Sequence, residues 1–146
     1  MAMMLNALKV DPGVNWKGIW RWYDDANIKH MHHSKLKEGL TLAEFHDLAK
    51  LNSVRSLAFS PLLGCGEEQA DIKKSSYSLC KNRVKMCTKF NSILLTVNFN
   101  RKALGQTGFG HFSPVAAYNC SRNMALILDV AKFKYDSYWC SLSTLY

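Results

Sequence analysis

Two apolar segments separated by a short polar stretch constrain the fold of this chain more than any other feature. Residues His111–Tyr118 (HFSPVAAY) and Met124–Ala131 (MALILDVA) have the composition of β-strands. The intervening residues 119–123 (NCSRN) are of the types that form turns. The sequence therefore predicts a β-hairpin, and the rest of the chain is organised around it.

A histidine and an aspartate occur on the two predicted strands. His111 opens the first strand, and Asp129 lies near the end of the second, eighteen residues later. Because side chains alternate between the two faces of a strand, an odd-numbered loop centred on Cys120 would place both residues on one face. An imidazole held by a carboxylate is the base and orienting half of a nucleophilic triad, although such pairs are more often structural. From the residues alone, both interpretations stay open.

The remaining segments predict an α+β fold, with helices packed on one side of an antiparallel sheet. Predicted helices cover residues 1–9, 41–51, 67–86 and the first turn of one at 141–146; further strands are predicted at 54–59 and 92–99, and an irregular segment at 132–139. Thr41 and Glu44 form a capping-box pattern at the start of the second helix. The length of 146 residues indicates a single domain, 1–146.

The charge of the chain favours anionic partners. The formal net charge is +8, and no acidic residue occurs between Asp71 and Asp129, where nine lysines and arginines lie. Nucleic acid would fit the charge, but no aromatic-basic RNA motif, zinc finger or recognition helix accompanies it. A small anionic peptide is the other candidate, and a solvated helix face explains most of these lysines.

The cysteine pattern and the hydropathy indicate a reduced, intracellular protein. The five cysteines are an odd number and form no CxxC pair, and no secretory signal or apolar run of membrane length is present. His30, His32 and His33 resemble a metal site but lack a supporting carboxylate or thiolate, so we expect surface histidines and no metal site.

Three tryptophans, Trp16, Trp20 and Trp22, fall within seven residues. We expect them to form a corner of the core, with the wall of a substrate pocket as the alternative.

Two blocks of the sequence closely resemble the phytochelatin synthases, the glutathione γ-glutamylcysteinyltransferases. They are residues 6–25 (NALKVDPGVNWKGIWRWYDD) and the hairpin region with TGFGHFSPVAAYN followed by ALILDVAKFKY. The resemblance implies a papain-like cysteine peptidase fold. It also places His111 and Asp129 on the catalytic histidine and aspartate of the family, with His111 as the base for a thiol and Asp129 fixing the imidazole tautomer.

The resemblance further implies a set of substrate-binding residues, namely Arg101, Gly110, Lys132, Lys134 and Tyr135. At Lys132 many family members have arginine, so that the charge is kept but the bidentate fork for a carboxylate is lost.

The resemblance places the nucleophilic cysteine upstream of Met1, and none of the five cysteines present has the family context. We therefore expect a partial catalytic domain, truncated at both ends and inactive by itself. The family implies glutathione and phytochelatin peptides as partners, no tightly bound cofactor, and Cd²⁺ or Zn²⁺ as an activator that acts mainly as a glutathione thiolate complex. A cytoplasmic location without nucleic-acid or membrane partners is expected, and a homodimer stays open.

Two alternatives remain beside the synthase. A related peptidase would remove glycine from glutathione or its conjugates and stop there. The chain could also be an inactive remnant or a module that binds thiol peptides.

Overall fold

The computed structural model describes residues 1–29, 39–60, 68–90 and 92–146, and for residues 68–73 it gives the backbone alone. The helices are α1 (Ala2–Ala7), α2 (Leu42–Leu51), α3 (Glu68–Cys87) and α4 (Leu142–Leu145), and the strands are β1 (Leu95–Asn100), β2 (Gly110–Asn119), β3 (Met124–Ile127) and β4 (Tyr138–Ser141). The described chain divides into two compact units, Met1–Phe59 and Ser60–Tyr146. The assignment of residues 1–146 to one partial catalytic domain stays a prediction.

The first unit has a small core to which α1 and α2 each contribute a buried leucine. Leu5 of α1 and Leu48 of α2 pack with Tyr23 and Ile28 from the segment between the helices. The predicted capping box at the start of α2 is confirmed, because the Glu44 amide donates to Thr41 Oγ1 while the Glu44 carboxylate accepts from the Thr41 amide.

Two asparagines hold the irregular segment between α1 and α2 by its backbone. The carboxamide of Asn6 donates to the Tyr23 carbonyl at 2.9 Å and accepts from the Tyr23 amide at 2.8 Å. The carboxamide of Asn52, which is 1% exposed, makes the same two-way contact with Lys29 at 3.0 and 3.1 Å and also donates to the Leu48 carbonyl. These side chains replace the hydrogen bonds that a helix or strand would have supplied.

The prediction of a strand at residues 54–59 is wrong, since this segment has no regular structure. Its first amide, that of Val54, donates to the Ala49 carbonyl of α2 at 3.0 Å, and Leu57 and Phe59 are exposed. Hydrophobic composition favours a strand only where a neighbouring strand is in reach, and none pairs with this segment in the described chain.

The tryptophan cluster is not part of the core, which corrects our expectation. Trp20 is 71% exposed, and Trp16 and Trp22 are about half exposed. A tight turn in which the Trp16 amide donates to the Trp20 carbonyl at 2.8 Å sets their positions. The histidines of residues 30–33 lie outside the described residues, and so does the segment 61–67 that contains Cys65.

The second unit is a four-stranded antiparallel sheet in the order β1-β2-β3-β4, with α3 and α4 contributing to its core. Val84 of α3 and Leu142 of α4 are fully or almost fully buried against sheet residues that include Phe99, Val115 and Ile127. The α+β class with helices packed on an antiparallel sheet is therefore confirmed.

A β-bulge in β2 sets which side chains share a face. Asn119 pairs with Met124 and Ala117 with Leu126, but Val115 pairs with Ile127, so that Ala116 is the extra residue. The loop between the strands is four residues long, 120–123, and the predicted odd-numbered loop centred on Cys120 is wrong.

The bulge has a direct effect on the geometry of the hairpin. Without it, the register that begins at Asn119 would continue to place Asp129 opposite Pro114, on the face away from His111. With it, the shifted register that starts at Val115 and Ile127 would, if continued past the end of β3, place Asp129 opposite Ser113, which shares the face of His111.

The ends of the sheet differ from the predicted strands. β1 begins at Leu95 rather than Ser92, and β3 ends at Ile127, before Asp129. The segment predicted to be irregular, 132–139, contains the first half of β4, whose pairing with β3 is long-range and leaves no local sequence signal. No helix of the described chain is long and apolar enough to cross a bilayer.

Candidate active site

His111 and Asp129 are in direct contact. His111 is the second residue of β2, and Asp129 lies two residues beyond the end of β3. Nε2 of His111 lies 3.0 Å from Oδ1 of Asp129, and the edge of the Phe99 ring packs against the imidazole with the centroids 5.8 Å apart. The His111 side chain is 18% exposed and that of Asp129 is fully buried. Nδ1 of His111 has no hydrogen-bond partner among the described residues.

The carboxylate of Asp129 receives five hydrogen bonds. Arg101 meets it with both ends of its guanidinium, Nη1 to Oδ2 at 3.0 Å and Nη2 to Oδ1 at 2.9 Å. The amide of Ala131 and the imidazole of His111 bond Oδ1, and the hydroxyl of Tyr138 on β4 donates to Oδ2 at 3.3 Å. This number of donors fixes the position of the carboxylate and favours its ionised form.

The two titrating groups have displaced pKa values with different causes. Burial alone would raise the pKa of Asp129, but the hydrogen bonds from Arg101 and Ala131 and the charges of His111 and Arg101 outweigh it and hold the pKa below its ordinary value. Burial lowers the pKa of His111, and the positive charge of Arg101 lowers it further against the opposing effect of Asp129. His111 is therefore neutral near pH 7, and the ionised carboxylate keeps the proton on Nε2.

Arg101 reaches this site from a short 3-10 turn, Arg101–Leu104, that follows β1. The turn begins with the Asn100 side chain accepting from the Lys102 amide and ends at Gly105 in the left-handed conformation, with φ +67°. Gly108, at φ +110°, lies where a Cβ would come within 3.3 Å of the Arg101 Cδ. A glycine is required there by its backbone angle and by this close approach.

Tyr135 connects the segment before β2 to the segment after β3. Its hydroxyl accepts from the Thr107 amide at 2.9 Å and lies 3.2 Å from the Thr107 hydroxyl. These hydrogen bonds lower the pKa of Tyr135. The guanidinium of Arg101 lies over its ring, 4.9 Å from the centroid, and the ammonium of Lys134 lies 5.6 Å from it.

The other residues suggested for substrate binding lie at the surface. Gly110, the first residue of β2, is exposed opposite Asn100 of β1. Lys132 and Lys134 are exposed on the segment after Asp129. The structure thus brings His111, Asp129, Arg101 and Tyr135 into one connected group, while Gly110 and the two lysines lie at the surface, with Lys134 against the Tyr135 ring.

A comparison with protein families identifies the chain. The model of the family described as phytochelatin synthase matches residues 1–146, the whole of the chain. The chain belongs to the phytochelatin synthase family.

Curated members of the phytochelatin synthase family give the same result. The chain is 41% identical to the glutathione gamma-glutamylcysteinyltransferase of Schizosaccharomyces pombe, 36% to the glutathione gamma-glutamylcysteinyltransferase 3 of Lotus japonicus and 33% to the glutathione gamma-glutamylcysteinyltransferase 2 of Arabidopsis thaliana. Each match covers 100% of this chain but 33%, 29% and 30% of the relative, respectively. The chain therefore spans about a third of the length of the curated relatives that it matches.

The described cysteines of this phytochelatin synthase segment do not contact His111. Cys80, Cys87 and Cys140 are partly or fully buried, and burial raises the pKa of each thiol, which disfavours the nucleophilic thiolate. Cys120 is exposed in the hairpin loop. Within the described ranges, no group of three or more histidine, cysteine, aspartate or glutamate side chains could hold a metal ion.

Two residues of the site were missed by sequence reasoning. Gln106 accepts from Arg101 Nη1 at 2.6 Å, and Tyr138 donates to Asp129 and lies 3.5 Å from the Gln106 carbonyl oxygen. Tyr138 belongs to a strand whose position was not predictable, and Gln106 lies in an irregular segment. No local pattern marks either residue.

Proposed function

We propose that this chain supplies the base and its orienting carboxylate for the phytochelatin synthase reaction. That reaction transfers γ-Glu-Cys from glutathione to the amine of a second glutathione or of a phytochelatin peptide, with release of glycine. The observation that supports this proposal is the His111 Nε2 contact with Asp129 at 3.0 Å, which leaves Nδ1 without a partner in the described chain.

The roles of the two residues follow from their protonation states. Neutral His111, with its proton on Nε2, accepts the proton of a cysteine thiol at Nδ1, and the thiolate attacks the carbonyl of the Cys-Gly bond of glutathione. The imidazolium returns the proton to the nitrogen of the departing glycine, and a γ-Glu-Cys thioester remains. His111 then takes a proton from the amine of the second peptide as it attacks the thioester, and the thiolate leaves and takes this proton back from the imidazolium. The ionised Asp129 stabilises the imidazolium in each step.

The thiol of this mechanism is expected from the family resemblance to lie upstream of Met1. Without a nucleophile, covalent catalysis falls by on the order of a million-fold. We therefore attribute the complete reaction to a protein that contains both this chain and that thiol.

The charge distribution supports a small anionic substrate. Lys132 and Lys134 are exposed close in sequence to Asp129, and glutathione carries two carboxylates that such cations attract. We propose that Cd²⁺ or Zn²⁺ enters as part of the substrate, as a thiolate complex of glutathione, and that the protein acts in the cytoplasm.

The test is an incubation of the full-length protein with glutathione and Cd²⁺, followed by mass spectrometry of glycine and γ-Glu-Cys oligomers. We expect oligomers from the wild type, almost none from His111→Ala, and wild-type yields from His46→Ala, which removes a histidine of the other compact unit. Release of glycine without oligomers would replace the synthase with the peptidase. Equal activity in wild type and His111→Ala would refute the proposed role of the histidine, and no turnover by the wild type would favour a binding module.

A further inference from the structure

We propose that Arg101 and Tyr138 are positioning residues, which hold Asp129 so that the proton of His111 stays on Nε2 and Nδ1 is left as the base. This inference rests on the proposed function for its meaning in catalysis. It gives Arg101 a role in the protein interior, in place of the contact with substrate that the resemblance implied.

The surroundings of Arg101 leave it no free edge for a substrate carboxylate. The residue is 6% exposed, Nη2 bonds Asp129, and Nη1 is shared between Asp129 and Gln106. The ring of Tyr135 covers the guanidinium at 4.9 Å. A bidentate guanidinium–carboxylate contact fixes both the distance and the plane of the acid. The planar fork of Arg101 is thus already occupied by Asp129.

Arg101 also lies close enough to His111 to set its charge state. Arg101 Nη2 and His111 Nε2 bond the same oxygen of Asp129, at 2.9 and 3.0 Å, so that the two nitrogens are at most about 6 Å apart. Two cations at this separation disfavour each other, so the charge of Arg101 adds to the larger effect of burial and favours a neutral imidazole. The other ionisable groups of this cluster are Arg101, Asp129 and the phenols of Tyr135 and Tyr138. Of these, Arg101 and Asp129 act on the pKa of His111.

Tyr138 restrains the oxygen of Asp129 that does not face the imidazole. Its hydroxyl donates to Oδ2 at 3.3 Å, and Arg101 Nη1 bonds the same oxygen from the 3-10 turn. Oδ1 is thereby kept towards His111 by contacts from two different parts of the chain. The loss of either contact frees the carboxylate to rotate.

The test compares four variants of the full-length protein by the pH dependence of kcat/KM and by NMR titration of the His111 ring. In Arg101→Gln the uncompensated Asp129 favours imidazolium, so the His111 pKa and the acidic limb of the profile should rise by about one pH unit. In Arg101→Lys, which keeps the charge but not the fork, the limb should stay near its wild-type position while kcat falls.

Tyr138→Phe should lower kcat about 5-fold, as expected for one lost hydrogen bond, with no change in KM for glutathione. The fourth variant, Lys102→Gln, removes the neighbouring exposed cation of the same turn. It should change neither the pH dependence of kcat/KM nor the titration of His111.

The outcomes separate the positioning role from substrate binding. A raised KM in Arg101→Gln with an unmoved acidic limb and an unmoved His111 titration would overturn the proposal. If Arg101→Gln does not fold, the kcat values of Arg101→Lys and Tyr138→Phe decide, and wild-type kcat in both would overturn the positioning role. Tyr118→Phe, at the far end of the hairpin, is the matched control for Tyr138→Phe. The NMR titration needs no turnover, so a wild type without transferase activity would refute the proposed function and still decide the role of Arg101.

Discussion

Arg101 and Asp129 lie 28 residues apart in the sequence and form a buried ion pair in which Nη1 donates to Oδ2 at 3.0 Å and Nη2 donates to Oδ1 at 2.9 Å. The Asp129 side chain is inaccessible to solvent. An ion pair of this kind contributes little net stability when intact, but removal of one partner leaves an uncompensated charge in the interior. The orientation of His111 and the stability of the sheet therefore depend on the same carboxylate.

Asp129→Asn should damage both properties. Arg101 would be left without its counter-ion, and we expect the free energy of unfolding in urea to fall by about 3–5 kcal/mol. Catalysis should fall on the order of 10⁴-fold, because the amide no longer selects the Nε2–H tautomer. Asp136→Asn, an exposed acid seven residues later, is the control and should leave both measurements unchanged.

Deletion of Ala116 should leave most of the activity, whereas one alanine inserted directly after Ser113 should abolish it. The residues on either side of Ala116 keep their partners on β3 when the extra residue is removed, so His111 stays on the face of Asp129. The insertion moves every earlier residue of β2 by one position and turns the side chain of His111 to the opposite face. Circular dichroism should show that both variants fold, and glycine release should be lost in the insertion variant alone. Equal glycine release by the two variants would show that the face of His111 does not matter.

Ser113→Ala should stabilise the protein or leave its stability unchanged. The Ser113 hydroxyl is fully buried and has no hydrogen-bond partner within the described chain. Removing an unsatisfied buried hydroxyl should raise the free energy of unfolding by up to about 1 kcal/mol. The same substitution at Ser56, whose hydroxyl lies 2.6 Å from His46 Nδ1, should lower it by about 1 kcal/mol. Equal losses at the two positions would mean that Ser113 does have a partner.

Asn52→Ala should destabilise the first compact unit. The substitution removes three hydrogen bonds, two to Lys29 and one to Leu48, and leaves backbone groups unpaired. We expect a loss of about 2–3 kcal/mol in chemical denaturation. Asn98→Ala, at an exposed position of β1, should cost far less.

Stability should fall in acid in two stages. His111 has a pKa lowered from 6.5, so the unfolded chain takes up its proton first and stability decreases as the pH drops below about 6.5. Asp129 has a pKa lowered from 3.8; its contribution is present above that value and is lost as the pH falls through the folded-state value. Urea midpoints at pH 7, 5.5 and 4 would measure the first stage, and a further midpoint near pH 2.5 would measure the second. His111→Gln should lose less stability than the wild type between pH 7 and 5.5.

Local patterns in the sequence predicted much of this fold and part of the site. The capping box of Thr41 and Glu44, the long helix α3 and the strand-like segments of the hairpin are each determined within a few residues. The pairing of His111 with Asp129 was predicted on the correct face but for the wrong register, because a bulge depends on how two strands settle against each other.

The rest of the fold and of the site depends on contacts between residues that are far apart in the sequence. β4 is recognisable only by its pairing with β3, and the segment 54–59 failed as a strand for lack of a partner. The burial of Arg101 follows from the position of Asp129, which its own neighbours in sequence do not reveal.

The participation of Tyr138 has a consequence for the order in which the site is assembled during protein synthesis. A ribosome delivers Arg101 first, then His111 and Asp129, and Tyr138 last. The carboxylate therefore receives its final donor only after β4 has emerged and added to the edge of the sheet beside β3. A nascent chain that has not yet reached this strand contains His111 and Asp129 but not their final alignment, so this pair takes its final geometry as one of the last events in the folding of this unit.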